Sequence, residues 1–389
     1  MAETSSPGRR IRVVSIAHSG VLRDMGRLRY QPLADRHDLD IHLVVPERWY
    51  QFGRWYEADP PCTPGITTHV LPIRLPKGGP ASWYLHFYPS LRRLMRQVSP
   101  DVVHLWEEPW SIVALQALLL RRNAGYVLEV DQNIIKRLPL PFEKLRRFIL
   151  ARTDVILARS NHAEEVVRAC GYAGPALPIG YGVDEETFRF PEIRRVRPDS
   201  GLRLGYCGRL VVEKGLDDAL DALAALPDSV TLALMGEGDH EAALRARIAR
   251  LGLQNRVSFA GWGSPRDVAA FYHGIDVSIL LTRTTDQVRE QFGRAIIESQ
   301  GCGVPVIGST CGAIPEVIGQ GGWVVPEQDP AEIAGCVRQI LAVPALLDEK
   351  SRLGQQNIRD RFSYRAVAGD LAAGWLEAYR RRMAGSAAA

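Results

Sequence analysis

The sequence predicts a two-domain α/β chain in which each domain is a doubly wound parallel sheet. Three observations lead there. The 389 residues exceed the length at which one hydrophobic core usually stops growing. Short apolar runs rich in Val, Ile and Leu alternate with amphipathic stretches, as buried parallel strands and their crossover helices do. That alternation is interrupted by a polar, Arg- and Pro-containing stretch, residues 191–201, and then restarts.

In the first half, strands are expected at 12–16, 41–45, 102–105, 126–130 and 155–158. After the presumed linker they are expected at 202–207, 231–235, 257–259, 277–281 and 304–307. Helical patterns fall between them at 216–225, 241–251 and 295–301, so strand and helix alternate. A last helical pattern, 364–383, carries Leu371, Trp375, Leu376 and Tyr379 at apolar spacing. The expected domains are therefore 1–190 and 201–363, followed by a C-terminal helix in 364–389. Ligands of open α/β sheets bind outside the carboxyl ends of the strands, so a chain with two such sheets is expected to do its chemistry in a cleft between them.

Composition narrows the class. Hydrophobic residues make up 46% and charged residues 24%, with no biased segment, which fits a chain that folds throughout. The six cysteines, Cys62, Cys170, Cys207, Cys302, Cys311 and Cys336, include no short-spaced pair of the zinc or redox kind, so a reducing cytoplasm is expected. Residues 1–10 are polar and the apolar run 11–17 is too short for a signal-peptide core. The longest apolar stretch, 112–120, is less than half of the roughly 20 residues a membrane span needs. The net charge of +4 is uneven: residues 1–180 carry 24 Lys or Arg against 17 Asp or Glu. A basic first half attracts an anionic acceptor or a membrane surface, or is simply a solvated face. Nucleic acid is not an expected partner.

Two segments carry the chemistry. The first, Gly208-Arg209-Leu210-Val211-Val212-Glu213-Lys214-Gly215, follows an expected strand and opens a helix. A helix N-terminus favours phosphate, Arg209 can grip a diphosphate bidentately and Lys214 adds a point charge. The second, Glu290-Gln291-Phe292-Gly293-Arg294-Ala295-Ile296-Ile297-Glu298, sets two carboxylates around a helix start near Gly293. Carboxylates suit pairs of hydroxyls, and free N–H groups near Gln291, Phe292 and Gly293 suit sugar oxygens. No Asp-x-Asp metal motif stands beside Arg209 and Lys214, and no G-x-G-x-x-G follows a strand in the way a dinucleotide site requires.

Together these segments resemble the retaining glycosyltransferases of family 4, whose GT-B fold has two Rossmann-like domains facing a central cleft and a C-terminal helix crossing back to the first. The resemblance spans most of the chain. Beyond the two segments it rests on Gly236-Glu237-Gly238, Gly303-Val304-Pro305-Val306-Ile307 and Gly312-Ala313-Ile314-Pro315-Glu316. It implies that Arg209 and Lys214 hold the donor diphosphate, Glu298 the ribose, and Glu290 with the amides of Gln291, Phe292 and Gly293 the donor sugar. Trp262, after Phe259-Ala260-Gly261, is a candidate for the nucleotide base or an ordinary loop residue.

The first domain departs from that family pattern. Its first loop reads Ala17-His18-Ser19-Gly20-Val21, with a single Gly where members often have several. Some members carry a His where this chain has Asp131-Gln132-Asn133, with Lys136 downstream. Asp131 is a catalytic candidate through a sugar hydroxyl, or a helix N-cap. His18, Ser19, Gly20, His104, Gln132 and Lys136 are acceptor-side candidates, His104 alternatively a buried strand-end residue. Aromatic residues crowd at Trp49, Tyr50, Phe52, Trp55 and Tyr56, then at Trp83, Tyr84, Phe87 and Tyr88 before Arg92, Arg93 and Arg96. Such faces serve sugar stacking, peripheral membrane docking or the core.

The expected function is metal-independent, retaining transfer of a hexosyl unit from a nucleoside-diphosphate sugar, used as co-substrate with no resident cofactor, to a saccharide, lipid-linked or small-molecule acceptor. It suits carbohydrate biosynthesis in the cytoplasm, with a weak peripheral contact to the inner membrane face. A sugar-nucleotide epimerase or other enzyme of the same fold, or a catalytically silent sugar-nucleotide-binding protein, stays open.

Overall fold

The computed structural model describes residues 9–51, 54–61, 64–75, 82–191 and 201–387. Residues 1–8, Phe52, Cys62, nearly all of the linker and the side chain of Trp83 lie outside the described set. The chain forms two compact units, Met1–Gly180 with Tyr364–Ala389, and Tyr181–Ser363.

The first unit holds β1 (Ile11–Ala17), β2 (Leu39–Pro46), the hairpin β3 (Arg48–Gln51) and β4 (Arg54–Glu57), β5 (Thr67–Leu71), β6 (Val102–Trp106), β7 (Gly125–Val130), β8 (Val155–Ala158) and β9 (Ala176–Pro178). All but the hairpin form one parallel sheet in the order β5-β2-β1-β6-β7-β8-β9. Every residue of β6, β7 and β8 is buried, which is why these strands read as near-continuous apolar runs, broken only by His104 and Glu129, rather than as alternation. The C-terminal helix, Tyr364–Ala387, packs on β7 and β8 of this unit, and its fully buried Trp375 stacks on Tyr30 at 6.4 Å.

The second unit holds β10 (Leu202–Cys207), β11 (Val230–Met235), β12 (Val257–Gly261), β13 (Val277–Leu280), β14 (Val306–Ser309) and β15 (Gly322–Val325). They pair in parallel in the order β12-β11-β10-β13-β14-β15. Both sheets thus reverse direction beside their first strand, at β1/β6 and at β10/β13, the crevice where doubly wound sheets take ligands. These are the two Rossmann-like sheets of the GT-B fold.

Five strands escaped the pattern: the hairpin strands β3 and β4, and β5, β9 and β15 of the parallel sheets, which have three to five residues, too short for a run to mark them. The first unit also ends ten residues earlier than the expected boundary at 190. Val183 bridges to Ser363 and Phe188 is buried in the second core, so tertiary contact draws this stretch away from the first domain.

Candidate active site

In the second unit β10 runs into Gly208, then through Arg209 to a single 3-10 turn, Val212–Lys214, and the helix Leu216–Ala224. Arg209 is exposed, with no ion-pair partner among the described residues. Lys214 is half-buried. Its ammonium donates to Glu290 Oε2 at 2.6 Å and to Thr282 Oγ1 at 3.3 Å, and the Thr282 hydroxyl donates to the same carboxylate oxygen at 3.0 Å. Thr282 lies just beyond β13, so this triangle closes over the switch point of the second sheet.

The surrounding loops fit only because they are glycine-rich at particular places. A Cβ on Gly236 would stand 1.9 Å from the Gly208 carbonyl oxygen, so the Gly236-Glu237-Gly238 segment can lie flat against the phosphate-type turn. A Cβ on Gly312 would stand 2.2 Å from the Glu290 carbonyl oxygen, which instead accepts the Ala313 N–H at 3.0 Å. The Gly312-Ala313 step therefore sets the backbone that carries Glu290. The next helix, Arg294–Gly301, starts at Gly293 and places Glu298 on its second turn near Cys207 of β10. Burial raises the Glu298 carboxyl above its ordinary pKa, against the opposing charge of Arg294 at 3.7 Å. Trp262 follows β12 and is 65% exposed, on a loop tied to Gly236 by a 2.7 Å bond from the Gly236 N–H to the Gly261 carbonyl.

The first unit gathers a second group at its own switch point. His18, just after β1, lies in ion-pair contact with Glu107, just after β6, and stacks on Trp49 at 4.5 Å. Burial works against charge on His18, but Glu107 and then Asp131 outweigh it and raise the imidazole above its ordinary pKa. Asp131 accepts from Trp106 Nε1 at 3.0 Å and from Arg159 Nε at 2.7 Å. Its own N–H and that of Gln132 donate to Glu108 Oε1 at 2.9 and 2.8 Å. Burial, helped by Asp131, lifts the Glu108 carboxyl to about 8. Behind this layer Glu129 is fully buried between Arg29 and Arg159, and its carboxyl is held below the ordinary range because the two guanidiniums outweigh desolvation.

Two family models match the chain: Glycosyltransferase Family 4 over residues 33–187 and Glycosyl transferases group 1 over residues 201–342. The chain belongs to the GT-B glycosyltransferases of the family 4 and group 1 type. A GDP-mannose-dependent alpha-(1-6)-phosphatidylinositol dimannoside mannosyltransferase of Mycobacterium tuberculosis is 34% identical over 216 residues, which cover 52% of this chain and 54% of that protein. The match thus spans about half the length of that curated relative. Sucrose-phosphate synthase from Thermosynechococcus elongatus shares the fold at TM-score 0.68 and 19% identity, over 97% of this chain and 100% of that one. Anabaena Alr3699/HepE, solved in complex with UDP and glucose, does so at TM-score 0.65 and 18% identity, over 94% and 99%.

Within this chain the expected donor residues Arg209, Lys214, Glu290, Gln291, Gly293 and Glu298 all lie on the turns and helix around the carboxyl ends of β10 and β13. Phe292 is different. Its ring is buried against Tyr181 and Phe362, so only its backbone faces the role expected of it. On the acceptor side His18, Ser19, Asp131 and Gln132 come together, and the Ser19 hydroxyl is buried without a hydrogen-bond partner among the described residues. Gly20 is buried under Val45. His104 is corrected: it is fully buried, bonded to Ser15 at 2.8 Å and 3.3 Å from Glu129, and does not face an acceptor. Asp131 is not a helix N-cap, because its oxygens go to Trp106 and Arg159. Lys136 stands on the surface, its carbonyl held by Arg146. Of the aromatic crowd, Trp49 and Tyr88 are core. Sequence reasoning missed Thr282 and Arg159, neither of which stands in a spacing that marks a site; Glu107 and Glu108 lie in the segment His104-Leu105-Trp106-Glu107-Glu108-Pro109, which resembles a family segment of the acceptor domain but gives neither of them a role.

Proposed function

We propose that this glycosyltransferase moves a glycosyl unit from a nucleoside-diphosphate sugar to an acceptor hydroxyl with retention of anomeric configuration. The observation that carries the reading is the Lys214-Glu290-Thr282 triangle beyond β10 and β13, a cation for phosphate bonded to a carboxylate for sugar hydroxyls. The relative's name specifies GDP-mannose and a solved neighbour holds UDP with glucose, which supports a nucleoside-diphosphate donor of one of these kinds.

In this reading Arg209 and Lys214 hold the diphosphate, Glu298 the ribose, and Glu290 with the amides of Gln291, Phe292 and Gly293 the sugar; Trp262 covers the base. The bond from the anomeric carbon to the phosphate oxygen breaks as the bond to the acceptor oxygen forms on the same face. The acceptor's proton passes to the departing phosphate oxygen, whose charge the two cations stabilise without a metal. His18, Ser19, Asp131 and Gln132 hold the acceptor, a saccharide, a lipid-linked sugar or a small molecule.

A thermal-shift screen of nucleoside diphosphates and their sugars identifies the donor, since a ligand at 100 times its dissociation constant stabilises by about 2.7 kcal/mol. Transfer of radiolabelled sugar, followed by the anomeric proton coupling of the product, tests the reaction. An inverted product sinks the retaining route, and interconversion of the donor without acceptor sinks transfer itself. Excess EDTA leaves transfer intact; a loss restored by magnesium or manganese overturns metal independence.

A further inference from the structure

The segment 134–152 of the first unit carries six Lys or Arg against one Glu. Its helix, Leu140–Leu150, turns Ile149, Leu150 and the Arg146 guanidinium inward. The outward face is unusual. Leu140, Lys144, Arg147 and Phe148 follow the i, i+4, i+7, i+8 spacing of one helix face and all are exposed, Leu140 at 68% and Phe148 at 38%. The Arg152 guanidinium lies 3.9 Å over the Phe148 ring.

The preceding loop belongs to the same surface. Arg146 Nη1 donates to the Lys136 carbonyl at 3.3 Å, which fixes Ile135, Lys136 and Arg137 beside the helix, and Ile135 is 57% exposed. Lys136, Arg137 and Lys144 have no acidic partner among the described residues. The helix Ile112–Leu120 packs alongside and exposes Leu119. A single exposed Leu is ordinary on any surface. Arg146 and Arg147 share the one acid of the segment, Glu143. Large apolar side chains set among cations that outnumber their acids are the pattern of a helix lying in a membrane interface, where apolar residues enter the headgroup boundary and the cations meet anionic lipid.

We propose that this face docks the protein on an anionic phospholipid bilayer, with Leu140, Phe148 and Ile135 inserted and Lys136, Arg137, Lys144, Arg147 and Arg152 on the headgroups. The occupant is a bilayer rather than a protein because Lys136, Arg137, Lys144 and Arg152, without acidic partners among the described residues, spread excess positive charge from one end of the segment to the other instead of bordering a dry apolar centre. No single helix among the described residues is long and apolar enough to cross a bilayer, and the contact inferred is peripheral. The aromatic hairpin expected for this role is not needed for it. The inference is independent of the donor reading, since the segment lies in the first unit and Lys214 and Glu290 lie in the second.

Co-sedimentation of the full chain with vesicles of equal parts phosphatidylcholine and phosphatidylglycerol is the test, with phosphatidylcholine alone as comparison. Binding is expected to the mixed vesicles at low salt and to weaken as salt rises. Leu140→Ser with Phe148→Ser, and separately Arg137→Glu with Lys144→Glu, should each weaken it at least about tenfold. Melting temperature and nucleoside diphosphate binding, read in the same samples, should match wild type. Absence of binding at low salt, equal binding to phosphatidylcholine alone, or full binding by both double variants overturns the proposal. So does a wild-type dimer that Leu140→Ser converts to monomer, which assigns the face to a second copy of this chain. Loss of diphosphate binding with vesicle binding intact would instead strike the donor reading alone.

Discussion

The Lys214 ammonium reaches the Glu290 carboxylate across 76 residues of sequence and bonds it at 2.6 Å, with the buried Thr282 hydroxyl on the same oxygen. A group suited to phosphate and a group suited to sugar therefore hold one another before any donor arrives. On the proposed reading, a diphosphate draws on Lys214 and thereby releases Glu290.

Lys214→Ala and Arg209→Ala should each weaken nucleoside diphosphate binding by roughly tenfold to a hundredfold, since a charge-assisted bond contributes about 1.5 to 3 kcal/mol. Calorimetric titration checks this. Unchanged affinity in both variants, with the circular dichroism of the wild type, removes the phosphate assignment.

The two acids should fail differently. Glu290→Gln is expected to lower turnover at least about a hundredfold, the scale of one well-placed electrostatic group at the reacting centre. Its diphosphate affinity should be equal to or tighter than wild type, because Lys214 is no longer held by a carboxylate. Glu298→Gln should raise the donor Michaelis constant about tenfold with turnover little changed, since ribose contacts are alike in ground and transition states. Near-normal turnover in Glu290→Gln, or weakened diphosphate binding there, would mean the roles are misassigned.

Glu108 makes stability depend on pH. Its carboxyl sits at about 8 in the fold, against about 4.3 when unfolded, so the folded state binds more protons between those values and loses stability as pH rises through them. His18, also raised, loses its contribution in the same direction as pH rises through its folded value. Glu108→Gln keeps an oxygen to accept the Asp131 and Gln132 amides but cannot ionise. Its melting temperature should fall less than that of wild type between pH 5 and pH 8.5, leaving the shares of His18 and Glu298. Parallel melting curves for the two proteins across that range would show that Glu108 is not held neutral.

Glu129 should matter for folding more than for chemistry. Glu129→Gln leaves the buried Arg29 guanidinium without its counter-charge and Arg159 with Asp131 alone, and breaking a buried pair costs about 3 to 5 kcal/mol. Denaturant unfolding at neutral pH measures it. A loss under about 1 kcal/mol would show that solvent or Asp131 compensates the two cations.

The alternation of buried strand and helix, the restart after residue 201 and the Gly-Arg, Lys-Gly and paired-Glu segments are local features, and local spacing was enough to read two doubly wound sheets and the donor side from them. Strands of three or four residues, such as β9 and β15, are too short to show a period, and pairing with a neighbour defines them. The loops that needed glycine showed it as Gly236 and Gly312, but which carbonyl each one clears is settled by residues 28 and 22 positions away. Tertiary structure alone decided that Lys214 and Glu290 touch, that Thr282 completes them, and that Glu107 and Glu108 meet His18 and Asp131, since no spacing along the chain encodes proximity between the ends of different strands. It also decided which His is core: His104 is fully buried, bonded to Ser15 and packed against Glu129 and Trp375, whereas His18 is partly exposed beside Glu107.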